Sequence, residues 1–143
     1  MTRIAIAGIG GRMGREVAAA ARANDLVQLV GGIARPERVA DLQREMVPEV
    51  RITGRVEDLL PDIDVLIDFT SPEATTAHAL ACAEAGRAMV SGVTGLSAGQ
   101  LAELQRAAQT IPLFYARNMS LGVNSLIAIM PMLARALAGY DIE

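Results

Sequence analysis

Apolar residues in this chain occur in short continuous runs that alternate with stretches of helical period. The runs at residues 3–7 (RIAIA) and 63–69 (IDVLIDF) have the length and continuity typical of buried parallel strands. The same criteria predict the remaining strands, over residues 26–34, 50–52, 88–91 and 111–116. Helices are predicted over residues 11–23, 37–45, 73–85, 97–108 and 122–138, with one helical turn at 56–60.

Capping residues support several of these helix boundaries. Ser71 and the following Pro72 form a helix-start signal, and Gly86 is a typical helix end. Pro131 lies inside the long apolar helix from Gly122, where its ring should kink the helix and free a backbone carbonyl. The alternation of strand and helix predicts an α/β fold: a Rossmann-like, doubly wound parallel sheet with helices on both faces.

Composition limits the kind of ligand that such a fold would bind. The formal net charge is −3 without charged blocks, which argues against a nucleic-acid or anionic-membrane surface. No apolar run approaches the roughly 20 residues of a membrane span. Cys82 is the single cysteine, so an internal disulfide and a thiolate metal cluster are excluded, and a cytoplasmic setting is expected. A small-molecule ligand fits best.

The residues available for acid–base chemistry are few. All 13 basic residues are arginine, and the absence of lysine excludes a Walker A loop and a Schiff-base mechanism. His78 lies mid-helix among alanines, where a structural or solvated role is expected, and Tyr115 is expected in the core. Asp68 ends a predicted strand, and a pocket carboxylate there would repel an acidic substrate.

The segment GIGGRMG at residues 8–14 follows the first predicted strand directly and opens a helix. The strict GxGxxG pattern fails at Met13, but Gly8, Gly11 and Gly14 fit GxxGxxG. Glycines at such a junction allow a tight turn and let a pyrophosphate approach backbone N–H groups at the helix N-terminus. This position predicts a dinucleotide site, although a glycine-rich turn without a ligand remains the alternative.

The end of the second predicted strand bears on cofactor preference. Arg35 stands where a site specific for NAD usually has an acidic residue, and Arg38 follows one turn later. Guanidinium groups there favour a 2′-phosphate, so NADPH is expected to bind at least as well as NADH. In the alternative, Glu37 takes the acidic role and both arginines are solvated.

Three further strand ends carry small, polar or glycine residues: TSP at 70–72, GVTG at 92–95 and ARNMSLG at 116–122. Each could be an ordinary turn with a helix cap. Because the carboxyl ends of parallel strands share one edge of the sheet, their coincidence favours a common pocket for a nicotinamide ring.

Four stretches together resemble the family of 4-hydroxy-tetrahydrodipicolinate reductase, or dihydrodipicolinate reductase, of lysine (diaminopimelate) biosynthesis. They are IAIAGIGGRMGRE at 4–16, VLIDFTSPEAT at 65–75, MVSGVTGL at 89–96 and FYARNMSLGVN at 114–124. The resemblance implies hydride transfer from NADPH or NADH to a cyclic dicarboxylate within a homotetramer. The cofactor contacts that it implies are Gly8, Ile9, Gly10, Gly11, Arg12, Met13, Gly14, Arg35, Phe69, Thr70, Gly92, Val93, Thr94, Ala116, Arg117, Asn118 and Met119. Gly92 and Thr94 are expected near both nicotinamide and substrate.

The chain departs from the family pattern at several points. Val93 stands where the family often has Thr, Met119 where it often has Phe, and Arg35 where an acid is common. The sequence also stops before the family's histidine and lysine segment, so no catalytic residue and no metal ligand is expected here. Residues 1–121 are predicted to form the dinucleotide-binding domain. Residues 122–143 are predicted to be a helix and strand start leading into an absent second domain, so the chain alone should bind cofactor without turnover.

Two other functions fit the same residues. One is the nucleotide-binding portion of a related amino-acid dehydrogenase, which acts on another carbonyl or imine. The other is a free-standing NAD(P)-binding regulatory module, which the small number of acid and base residues favours.

Overall fold

The computed structural model describes residues 1–46 and 48–140, which form one parallel sheet with helices on both faces. Its strands are β1 (Thr2–Ala7), β2 (Val27–Ile33), β3 (Arg51–Thr53), β4 (Val65–Asp68), β5 (Ala88–Ser91) and β6 (Leu113–Tyr115). All neighbouring pairs are parallel, in the order β3-β2-β1-β4-β5-β6. This is the strand order of a Rossmann fold, and it confirms the predicted fold class.

Five helices accompany the strands. They are α1 (Arg12–Arg22), α2 (Pro36–Glu45), α3 (Pro72–Ala85), α4 (Ala98–Ala107) and α5 (Leu121–Ala136). The predicted boundaries of these helices agree with the observed ones to within two residues. The capping predictions are confirmed: the Ser71 hydroxyl accepts a hydrogen bond from the Ala74 backbone N–H, and Gly86 adopts the left-handed conformation after α3.

Two hydrophobic clusters cover the two faces of the sheet. Along β1, Ala5 and Ala7 contribute to the cluster beneath α3 and α4, whereas Ile6 contributes to the cluster beneath α1 and α2. Because successive side chains of a strand point to opposite faces, a strand buried on both faces reads as a continuous apolar run. The low exposure of the β1 side chains therefore explains why the sequence predicts this strand clearly.

The segment between β3 and β4 differs from its prediction. The single helical turn expected at 56–60 is a pair of 3₁₀ turns, Val56–Asp58 and Leu60–Asp62. Pro61 lacks a backbone N–H and cannot extend a helix through this region. β4 is also shorter than the predicted strand over 63–69, because Ile63 is buried within the preceding loop and Phe69 already belongs to the next one.

Helix α5 lies outside the packed sheet. It continues through Pro131, and every one of its residues is exposed to solvent. Its exposed large apolar side chains include Leu121, Leu126, Ile127, Met130, Met132 and Leu133. Most of the strand start predicted at the end of the chain falls at residues 141–143, which lie outside the described residues. Within the described ranges, no helix combines the length and hydropathy that crossing a bilayer requires.

Candidate functional site

The glycine loop connects β1 to α1 at the carboxyl edge of the sheet. Gly8 has φ +79°, a conformation that L side chains rarely adopt, and its N–H donates to the Ile33 carbonyl at 2.9 Å. Gly14 lies so close to the loop that an added Cβ would overlap the Gly8 carbonyl oxygen. These two glycines let the first turn of α1 pack against the end of β1.

The N-terminus of α1 is open to an anion. Gly11 precedes the helix and has no side chain to cap it, and no acidic residue lies in the first turn. Uncapped N–H groups and the positive end of the helix dipole make such a terminus a binding site for phosphate. Arg15 holds the glycine loop in place, because its Nε donates to the Gly10 carbonyl and its guanidinium pairs with Glu45 of α2 at 2.9 Å.

A first cavity, of about 250 Å³, lies between the glycine loop and the start of α2. We call it the arginine cavity, since Arg35 and Arg38 line it together with Gly10, Gly11 and Leu42. No acidic residue lines this cavity among the described residues. Glu37 instead lies beside Arg35, with its carboxylate oxygen 3.5 Å from the guanidinium and both side chains mostly exposed.

A second cavity, of about 430 Å³, lies at the ends of β5 and β6. We call it the methionine cavity; its lining residues are Met13, Phe69, Gly92, Ala116, Arg117, Asn118, Met119 and Ser120. The Phe69 ring packs directly on the Gly92 backbone, where an added Cβ would overlap it. Asn118 shapes the rim, because its side-chain oxygen accepts from the Ser120 N–H at 2.8 Å. Segments that follow β4, β5 and β6 thus meet the first turn of α1 at this cavity, whereas Thr70 and Ser71 line a different one.

A third cavity, of about 450 Å³, lies between the loop after β2 and the start of α3. We call it the histidine cavity, since His78 lines it, with Thr70, Ser71 and Ala74 on the same side. Asp68, at the end of β4, is fully buried beneath it. His78 Nδ1 lies 2.9 Å from Asp68 Oδ2, and Asp68 Oδ1 accepts from the backbone N–H of Thr70 at 2.8 Å.

Most of the residues singled out in the sequence line these cavities. The predicted residues that do so are Gly8, Gly10, Gly11, Met13, Arg35, Phe69, Thr70, Gly92, Ala116, Arg117, Asn118 and Met119. The three cavities adjoin one another, because the arginine cavity shares Gly8, Ala34 and Arg35 with the histidine cavity and Phe69 with the methionine cavity.

Five of the predicted site residues lie elsewhere. Ile9 and Val93 are core residues, and Gly14 is buried behind the loop. Arg12 lies in a shallow depression along α1 with Arg15 and Glu16. Thr94 is exposed and does not line any of the three cavities.

His78 and Leu42 are site-lining residues that the sequence prediction missed. His78 was expected to be structural or solvated, and it is indeed buried and paired with Asp68, but it also lines a cavity. Its position contained a signal: α3 begins after the short loop 69–71 that follows β4, and Ala74 and His78 are spaced i, i+4 on one face of the helix. Leu42 offered no such signal, because only the packing of α2 on the glycine loop brings it there.

The buried cysteine has no part in the site. Burial, with a smaller contribution from the charge of Asp68, raises the pKa of the Cys82 thiol to about 12. Its sulfur is therefore a thiol at neutral pH and packs as a small apolar group in the cluster beneath α3.

Comparison with known proteins gives consistent results. The family model described as dihydrodipicolinate reductase, N-terminus, matches residues 2–119. The 4-hydroxy-tetrahydrodipicolinate reductase of Chromohalobacter salexigens is 42% identical over all of this chain and 56% of its own length. That of Nitratidesulfovibrio vulgaris is 43% identical over 99% of this chain and 55% of its own length. This chain therefore spans little more than half the length of these relatives.

Solved structures show the same relationship. A dipicolinate-bound dihydrodipicolinate reductase from Paenisporosarcina sp. TG-14 superposes with a TM-score of 0.80 at 26% identity, covering 94% of this chain and 54% of that one. A biliverdin reductase from Synechocystis in complex with biliverdin and NADP+ shares the fold, with a TM-score of 0.67 at 23% identity over 80% of this chain and 37% of that one. The match of the family model, the identity to curated reductases and the shared fold lead to one conclusion: the chain belongs to the dihydrodipicolinate reductase family and corresponds to its N-terminal part.

Proposed function

We propose that this chain binds NADPH, at least as tightly as NADH, and is the nucleotide-binding part of a reductase of 4-hydroxy-tetrahydrodipicolinate. The observation that carries the proposal is the row of three adjoining cavities along the carboxyl edge of the sheet, with the uncapped N-terminus of α1 at the glycine loop. An extended ligand with phosphates near its centre suits this arrangement. The names of the 42–43% identical relatives supply the substrate.

The residues present fit such a cofactor. Backbone N–H groups at the start of α1 would hold the pyrophosphate, and the glycines leave the approach clear. Arg35 and Arg38 would hold a 2′-phosphate, since the arginine cavity that they line has no acidic lining residue among those described. The methionine cavity would receive the nicotinamide ring, which supplies a hydride when bound.

The chain offers little for proton transfer to a substrate. It contains no lysine, and its single histidine is buried against Asp68 at the opposite end of the row of cavities from the methionine cavity. The Cys82 thiol, with its pKa raised to about 12, is no acid or base at neutral pH. We therefore propose that residues 1–143 bind cofactor without turnover, and that a further domain supplies the proton and binds the dicarboxylate.

The exposed apolar surface of α5 supports the proposal of a further domain. A helix whose large apolar side chains are all exposed is typical of a segment that packs against another domain or subunit. We propose that residues 1–121 are the dinucleotide-binding domain, that α5 leads into the second domain, and that the whole protein is a homotetramer.

Calorimetric titration of the chain with NADPH and with NADH tests the proposal. We expect both to bind, with NADPH at least as tight. An affinity for NADH about tenfold higher, or 1.4 kcal/mol, would contradict the role given to Arg35. Binding of neither dinucleotide would contradict the proposed function as a whole.

The arginine cavity allows a more specific test, with a matched control. Arg35→Ala should weaken NADPH binding by about tenfold and leave NADH binding nearly unchanged, because only NADPH carries the 2′-phosphate. Arg55→Ala is the control, since Arg55 pairs with Glu57 at 3.5 Å just as Arg35 pairs with Glu37, but does not line any of the three cavities. Equal losses for both dinucleotides would assign Arg35 to another part of the cofactor.

A further inference from the structure

Residues 69–70, between β4 and α3, lie where the three cavities meet. Phe69 lines both the arginine cavity and the methionine cavity, and Thr70 lines the histidine cavity. The Phe69 ring packs on the Gly92 backbone. The glycine loop also packs against this segment, since a Cβ added to Gly8 would lie 2.8 Å from the Phe69 carbonyl oxygen and 3.3 Å from Thr70 Cγ2. A shift of these two residues would therefore change the walls of all three cavities.

The carboxylate of Asp68 holds the 69–70 segment in place. Its Oδ1 accepts hydrogen bonds from the backbone N–H and the hydroxyl of Thr70, at 2.8 and 2.6 Å. Its Oδ2 lies 2.9 Å from Nδ1 of His78, a buried residue of α3. The carboxylate therefore ties the segment to the helix that follows it.

Asp68 itself is fully buried and does not line any of the three cavities. Among the described residues, its only ion-pair partner is His78. Burying a carboxylate costs free energy, and an apolar side chain of similar size often fills such a position at lower cost. Core stability alone therefore gives little reason for an acidic residue here. What the carboxylate adds is a pair of acceptor oxygens that fix the directions of its donors.

We infer that Asp68 is a positioning residue for the dinucleotide: by holding Thr70 it sets where the Phe69 ring stands in the methionine cavity, and so how tightly the nicotinamide end binds. This inference rests on the proposed function, which assigns the nicotinamide to that cavity. Asp68 does not touch the cofactor, because its carboxylate is enclosed beneath the segment, and it acts through the two residues that follow it.

Two substitutions of similar size separate the hydrogen bonds of Asp68 from its charge. Asp68→Leu removes every acceptor. Asp68→Asn removes the charge but keeps one oxygen for Thr70, and its NH₂ group can donate to Nδ1 of the other neutral tautomer of His78. Each variant and the native chain are titrated with NADPH and with adenosine 2′,5′-bisphosphate, which carries the 2′-phosphate but has no nicotinamide.

We expect Asp68→Leu to weaken NADPH binding by about tenfold, because the Phe69 ring is no longer held, and bisphosphate binding by no more than about threefold. Asp68→Asn should bind both ligands within about twofold of the native chain. Equal losses for the two ligands in Asp68→Leu would indicate a general structural role and overturn the inference. Unchanged NADPH binding in Asp68→Leu, or an equally large loss in Asp68→Asn, would overturn it too.

A second pair of variants decides the question if circular dichroism shows that Asp68→Leu does not fold. Thr70→Val removes the hydroxyl that donates to Asp68 and keeps the shape of the side chain, whereas Thr70→Ser keeps the hydroxyl. Thr70→Val should weaken NADPH binding by about three- to fivefold, and bisphosphate binding by less, while Thr70→Ser stays within about twofold of the native chain. Equal binding by the two variants, or equal losses for the two ligands in Thr70→Val, would contradict the role of Asp68.

Failure of this inference is distinguishable from failure of the proposed function. If the native chain binds NADPH and Asp68→Leu binds it equally well, the role of Asp68 is wrong and the proposed function stands. Binding of neither ligand by the native chain would contradict both.

Discussion

Single glycines at the carboxyl edge of the sheet decide whether neighbouring segments can approach closely enough to form the cavities. Gly14 of α1 packs on the Gly8 carbonyl, and Gly92 packs under the Phe69 ring. In both places a side chain as small as a methyl group would overlap its neighbour. Glycine is required at both positions because a neighbouring residue packs directly against its backbone, in addition to any conformational preference of glycine.

Gly14→Ala is expected to destabilise the fold by about 1–3 kcal/mol, because the added methyl meets rigid backbone rather than a flexible side chain. It should also weaken dinucleotide binding by displacing the start of α1. Gly99→Ala in α4 is the matched control: its added Cβ would lie 3.9 Å from the nearest atom, the Ser97 hydroxyl oxygen, so a gain of about 0.4–1 kcal/mol is expected. Urea unfolding of both variants measures the difference; equal effects would contradict the role of close packing at Gly14.

Cys82 should resist thiol reagents in the folded protein. Burial raises the pKa of its thiol to about 12, so the reactive thiolate is scarce at neutral pH. Iodoacetamide labelling followed by mass spectrometry should show little modification in native buffer and complete modification in urea. Rapid native labelling would show that α3 opens far more readily than its packing indicates.

At the scale of elements, an ion pair at the amino edge of the sheet joins Arg3 of β1 to Asp64, the residue before β4. The Arg3 backbone N–H and guanidinium both donate to Asp64, at 2.8 and 3.0 Å. These hydrogen bonds, more than the charge of Arg3, hold the pKa of Asp64 below its usual range. The Asp64 carboxylate thus stabilises the folded state at any pH at which it is ionised.

Asp64→Asn should lower stability near neutral pH, with the difference from the native chain shrinking in acid. A carboxyl whose pKa is lowered by folding contributes stability above its unfolded pKa of about 4, and that contribution is lost as the pH falls through the lower folded value. Unfolding free energies measured from neutral pH into this acidic range check the sign. Asp25→Asn, at an exposed position before β2, is the control for removing a surface carboxylate. A constant difference at all pH values would contradict the assignment.

At the scale of the whole molecule, ligand binding and stability are linked. A ligand that binds only the folded state, at about 100 times its Kd, adds roughly 2.7 kcal/mol of stability. For a chain of this size, NADPH should therefore raise the Tm by about 5–10 °C. Differential scanning fluorimetry measures the shift, with Gly14→Ala expected to show a smaller one. No shift at saturating NADPH would count against the proposed function.

The sequence by itself determined the fold class and located the strand ends whose residues line the three cavities. Buried parallel strands are apolar on both faces, so the β1 and β4 runs were recognisable, and capping residues such as Ser71 marked where helices begin. Because parallel strands end at one edge, the residues after β1, β4, β5 and β6 could be predicted in advance to lie at the same edge of the sheet. The elements between β3 and β4 were predicted less well, because short 3₁₀ turns do not produce a recognisable hydrophobic period in the sequence.

Only the tertiary structure decided which side chains face the cavities. Val93 and Thr94 come shortly after β5, yet Val93 is buried in the core and Thr94 is exposed without lining any of the three cavities. Leu42 and His78, in contrast, line cavities from helices α2 and α3. The pairing of His78 with Asp68 likewise depends on how α3 sits on β4. The local sequence indicates where a strand ends. Which cavity a side chain lines depends on packing between segments far apart in the chain, so it cannot be predicted from the neighbouring residues alone.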